Sequence, residues 1–68
     1  MIEGVIKTIN EAKGFGFITV AGYDRDVFFH ISKVKGVFED LRVGDNVNME
    51  DIINAPKGYS AIGVSLNG

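Results

Sequence analysis

Apolar and polar residues form five short strand-like runs along this chain, and nothing in it reads as a long helix. Residues 2–10 (IEGVIKTIN) are rich in β-branched side chains but alternate imperfectly. Val5 and Ile6 are adjacent, so both face a core only if a bend or bulge intervenes. Residues 15–20 (FGFITV) put Phe15, Phe17 and Thr19 on one side and Gly16, Ile18 and Val20 on the other. Residues 27–31 (VFFHI) separate Val27, Phe29 and Ile31 from Phe28 and His30. The fourth run is 46–53 (NVNMEDII) and the fifth is 59–66 (YSAIGVSL). Turns are predicted at 21–26 (AGYDRD) and at 54–58 (NAPKG), where the proline argues against a central strand.

Residues 32–45 (SKVKGVFEDLRVGD) are the least strand-like stretch. Ser32 suits the cap of a single helical turn, Gly36 interrupts it, and Leu41 and Val43 are expected to tack the connection onto the core. Five short strands and one long connection predict a small closed or nearly closed barrel, since closure removes exposed sheet edges. The expected core is Val5, Ile6, Ile18, Val20, Val27, Phe29, Val47, Met49, Ile62 and Val64.

Length and composition narrow the class. With 68 residues, 1–68 is expected to be a single domain of modest stability. Hydrophobic content of 46% against 24% charged residues indicates a folded chain rather than a disordered one. No cysteine is present, which excludes disulfides, thiolate nucleophiles and cysteine-based zinc sites and suits a cytoplasmic protein. No apolar run reaches membrane-spanning length, and no signal-peptide layout opens the chain. The net charge of −2 weighs against a partner held mainly through phosphates, but base stacking needs only a local basic track beside aromatic faces.

The two aromatic runs raise that possibility. The wholly apolar set Val27, Phe29 and Ile31 makes the better core face, which leaves Phe28 and His30 looking outward. Ile18 goes inward with Gly16, leaving Phe15 and Phe17 outward as well. If the two strands are neighbours, three phenyl rings and an imidazole form one patch. Alternation alone is equally compatible with rings covered by the 32–45 connection. Lys7 and Lys13 favour a binding face, since ammonium groups beside flat rings suit stacked bases with phosphates passing over them.

Other chemistry finds little support. His30 is the single histidine, and with Asp24 and Asp26 it makes a poor metal-ligand set. Ser32 lies two residues from His30 with no sign of a triad, and the glycines at 14 and 16 lack the phosphate-loop pattern. No catalytic residue, metal or cofactor is assigned, and the chain is not expected to be an enzyme.

Taken together, KGFGFI at 13–18 and VFFHI at 27–31 resemble the paired ribonucleoprotein-type motifs of the cold-shock domain family. The opening MIEGVIK, the stretch LRVGDNV and the closing AIGVSL extend the resemblance over essentially the full length. The resemblance implies an all-β, five-stranded OB-fold Greek-key barrel. It implies binding of single-stranded RNA and DNA with modest sequence preference, acting as an RNA chaperone or cold-shock-type regulator in the cytoplasm. A monomer is expected, although the sequence does not fix the oligomeric state. It carries the binding roles to Lys7, Lys13, Phe15, Phe17, Phe28, His30 and Phe38. Phe38 also has a core reading, as an anchor for the long connection. The family pattern reads Lys-Trp-Phe-Asn where this chain has Lys7, Thr8, Ile9 and Asn10, and it is usually aromatic where Ile31 stands. Up to three platform rings are therefore expected to be missing, with weaker or shorter-footprint binding. The alternative is an OB-fold module that contacts proteins and has weak or lost nucleic-acid binding.

Overall fold

A computed structural model of the chain describes residues 1–67. It is all-β, with strands β1 (Ile2–Asn10), β2 (Phe15–Thr19), β3 (Val27–His30), β4 (Asn46–Met49), β5 (Asp51–Ala55), β6 (Gly58–Ile62) and β7 (Ser65–Leu66). Single 3₁₀ turns at Ile31–Lys33 and Phe38–Asp40 are the only helical elements among the described residues. All seven strands belong to one curled sheet of order β5-β6-β3-β2-β1-β4-β7.

Seven segments amount to the five expected strands, two of them bent. The fourth run breaks at Glu50, whose amide donates to the Ile62 carbonyl (2.9 Å), so that β4 pairs with β1 while β5 pairs with β6. The fifth breaks around Gly63, with β6 lying parallel to β3 and β7 antiparallel to β4. Each bent run thus reaches both ends of the sheet order and draws them together. This is how an OB-type sheet curls around a small core and leaves little free edge.

The core consists of Ile6, Ile18, Val20, Val27, Phe29, Phe38, Leu41, Val47, Met49, Ala61 and Val64, with Ile2, Ile9, Val34, Ile52 and Tyr59 packed against it. Three expectations are corrected. Val5 is 41% exposed: it pairs with Thr19 on the outer face, while Ile6 pairs with Ile18 inside. Val43 is 63% exposed, and Leu41 alone of that pair ties the connection down. Ile62, at the bend beside Glu50, is only partly buried.

The anticipated bulge lies one residue later, and it shapes the outer face. Ile6 pairs with Ile18 and Thr8 with Phe17, so Lys7 is an extra residue on β1 with no opposite number on β2. An unbulged strand would send Thr8 inward with Ile6 and turn Ile9 out. The shift instead turns Ile9 in beside Gly16 and leaves Thr8 and Asn10 on the face carrying Phe17 and Phe15.

Candidate nucleic-acid interface

The outer face of β1, β2 and β3 is built in rows. Asn10, Phe15 and His30 are successive cross-strand partners, and so are Thr8, Phe17 and Phe28. Parallel pairing with β6 adds Ser60 beside Phe28 and lengthens the second row. Gly16 lets this surface lie close over the core. A Cβ there would stand 2.5 Å from the Thr8 carbonyl oxygen and 2.7 Å from the Phe29 ring, so any larger residue would force the backbone or the ring to shift.

Three half-buried rings form a contiguous platform. Phe15 and Phe28 are stacked with centroids 5.7 Å apart, and Phe17 meets both edge-on at 6.1 Å and 5.8 Å. These are the offset and edge-to-face arrangements that aromatic quadrupoles favour. They steady the rings against each other while leaving part of each open to solvent.

His30 continues the platform at its exposed end. The Ser32 amide donates to His30 Nδ1 (3.1 Å), and Ser32 Oγ lies 2.9 Å from the same atom. A nitrogen that accepts from an amide bears no proton, so in this arrangement the ring hydrogen is on Nε2, available to an acceptor. The capping roles are therefore reversed from the expected ones: the His30 side chain caps the 3₁₀ turn that contains Ser32. Gly14, with φ of +73°, closes the β1–β2 turn, and its carbonyl accepts from the Ile31 amide (2.8 Å). Ile31, expected on the core face with Val27 and Phe29, is instead exposed at this corner, because β3 ends at His30 and the 3₁₀ turn that follows breaks the alternation.

Phe38 does not join the platform. It is 4% exposed and packs against Phe29, with centroids 6.1 Å apart, because the 3₁₀ turn at Phe38–Asp40 folds the connection onto the core. Phe38 therefore lies with the core in this structure, apart from the three rings that the sequence grouped with it. Ile9 also packs against the core, so a ring at that position would not widen the platform as the bulge sets it. Thr8, beside Phe17, is the position where an outward ring is missing.

Charge around the platform is local. Lys7 pairs with Asp26 (3.1 Å), whose other carboxylate oxygen accepts from Thr19 Oγ1 (3.4 Å). Lys35 pairs with Glu50 away from the rings. Among the described residues no ion pair engages Lys13, on the β1–β2 turn, or Lys57, on the β5–β6 turn.

Lys57 belongs to a feature that alternation did not locate. Phe17, Phe28, Ala55, Lys57, Gly58, Tyr59 and Ser60 line an open, mainly apolar depression of about 530 Å³ beside the platform. Tyr59 meets Tyr23 edge-on at 4.8 Å and donates its hydroxyl to Asp24 (3.2 Å). The hydrogen bond to Asp24, and then that carboxylate's charge, hold the Tyr59 phenol above its usual pKa. Tyr59 sits in a run legible as a strand, but nothing local announces a parallel pairing with β3. Among the described residues no cluster of histidine and carboxylate side chains could hold a metal ion, and no helix is long and apolar enough to cross a membrane.

Comparison with known proteins agrees with this geometry. The 'cold-shock' DNA-binding domain family matches residues 2–67. The cold shock-like protein CspC of Escherichia coli is 46% identical over 65 residues, covering 94% of this chain and 93% of that protein. CspE of Escherichia coli is 45% identical over 64 residues, covering 93% and 91% respectively. Among solved structures, Drosophila Unr CSD456 superposes with a TM-score of 0.80 at 24% identity. It aligns with 98% of this chain, which spans 26% of that longer chain, and the likeness is one of fold.

Proposed function

This chain belongs to the cold-shock domain family and is a nucleic-acid-binding protein of cold-shock type, and from that premise we propose how it binds. Single-stranded RNA or DNA lies across β1–β3 with bases stacked on Phe15, Phe17 and Phe28. His30 offers Nε2–H at one end, and Lys7 and Lys13 face the backbone. The observation that carries this reading is the contiguous three-ring surface, raised on strands whose opposite side is the core. Unpaired bases fit such a surface because every base has a π-face, whereas a duplex hides its faces in the stack.

The same physics supports a chaperone role in the cytoplasm. Stacking contributes about 1–3 kcal/mol per base and is tolerant of sequence, so bound strands stay unpaired without energy input or a cofactor. The acidic balance of the whole chain keeps the electrostatic share small, and Thr8 removes one ring from the surface. Binding is accordingly weaker, or spans fewer nucleotides, than a complete platform allows.

Titration with oligo-dT or oligo-U at low salt, followed by NMR, tests this. Shifts centred on Phe15, Phe17, Phe28 and His30 are expected. Unmoved Phe15 and Phe28 signals at saturating oligonucleotide would refute the platform. Undetectable binding, with a protein partner retained instead, would favour the protein-interaction module.

A further inference from the structure

The depression at the β5–β6 turn is continuous with the platform through Phe17 and Phe28, but its far side comes from residues 55–60. Its lining is mainly apolar, and Lys57, free of any ion pair among the described residues, stands on it. The Tyr59 wall is braced from behind: Tyr23 packs against it edge-on, its hydroxyl is tied to Asp24, and it packs against the core. A ring held on several sides loses little freedom when a ligand settles beside it, which favours binding.

We propose that this depression, bounded by Phe28, Tyr59 and Ser60, takes one further unpaired nucleobase of the strand lying on the platform, with Lys57 on its phosphate. The inference rests on the platform reading and extends it past β3. A nucleobase is the occupant because the depression continues the stacking surface, is apolar along its walls, and carries a cation where the next phosphate of an advancing strand would pass. The added site lies at the end of the row opposite Thr8, since Thr8, Phe17, Phe28 and Ser60 follow one another across the sheet. A strand that gains little at β1 is thus gripped again at β6.

A length series separates this role from a purely structural one. Affinities for oligo-dT of about three to seven nucleotides are measured for wild type, Tyr59→Leu and Tyr59→Phe, with melting curves to establish that each variant is folded. Leucine keeps an apolar cover over the core but removes the ring. Tyr59→Leu is expected to bind the longest oligonucleotides about fivefold to 100-fold more weakly and the shortest as wild type does. Tyr59→Phe stays near wild type throughout. Equal affinity of Tyr59→Leu and wild type at every length overturns the proposal, and so does an equal loss at every length, which would make Tyr59 a support for the platform. Wild type failing to bind any length sinks the platform reading itself.

A second measurement does not depend on the leucine variant folding. Tyr23 and Tyr59 are the only tyrosines and there is no tryptophan, so Tyr23→Phe leaves Tyr59 as the sole emitter. Its emission is expected to be quenched by the long oligonucleotides and much less by the short ones. Emission unchanged at saturation with the longest strand overturns the proposal.

Discussion

Phe28 and Phe29 are neighbours in one strand with opposite fates. Phe29 is 0% exposed, in van der Waals reach of Gly16 and packed on Phe38. Phe28 is half-buried and holds one corner of a solvent-facing ring cluster. One residue of β3 thus holds the sheet curled, and the next presents what the curled sheet is for. The difference is the direction of a Cα–Cβ bond rather than side-chain chemistry, so the two positions separate stability from binding within four atoms of backbone.

The sharpest break in that comparison comes from the inner ring. Phe29→Ala is expected to cost about 3–5 kcal/mol in urea or thermal unfolding, a large share of the stability of so small a domain. Phe38→Ala belongs in the same class: it should lower the melting temperature comparably, while the variant that remains folded binds oligonucleotide as wild type does. Weakened binding with unchanged stability would instead return Phe38 to the interface. Gly16→Ala comes next, at about 1–3 kcal/mol, because the new methyl group meets the Thr8 carbonyl and the Phe29 ring and at least one is fixed backbone.

The outer ring gives the mirror result. Phe28→Ala should weaken oligo-dT about fivefold to 100-fold by fluorescence or NMR titration while destabilising the fold much less than Phe29→Ala. Thr8→Trp should tighten binding by about tenfold or less, since it adds one ring beside Phe17. No gain from tryptophan would mean that the strand leaves the platform before reaching β1.

The smallest effect is alkaline and lies away from both phenylalanines. The Tyr59 phenol has a raised pKa in the fold, so the folded chain keeps this proton where the unfolded chain begins to release it. Stability from this group is complete below the ordinary phenol pKa of 10.0 and declines as pH rises through the higher folded value. Tyr59→Phe should flatten the fall in melting temperature above that pH. An identical alkaline decline in the variant would show that the Asp24 contact contributes nothing.

Much of the site was legible because its signals are local. Period-two alternation is fixed by strand geometry, and it separated Phe15, Phe17 and Phe28 from Ile18, Val27 and Phe29, while the neighbouring Lys7 and Lys13 favoured the first set as the open one. Phe38 was not decided by local signals, because its 3₁₀ turn obeys no strand alternation and its burial depends on meeting Phe29 from a distant part of the chain. Ile9 escaped for a related reason. A bulge is invisible in composition, yet it reverses every side chain beyond it, so one unpaired residue at Lys7 turned Ile9 inward.

The sequence by itself determined an all-β chain, its five runs, and two facing sets of side chains on the aromatic strands. The tertiary structure decided which distant segments complete the outer face: β6, brought parallel to β3, supplies Ser60 and Tyr59, and the Tyr23–Asp24 turn braces them. Side-chain direction follows from the backbone of a single strand, whereas the neighbour a strand acquires depends on how the whole sheet curls to bury its core.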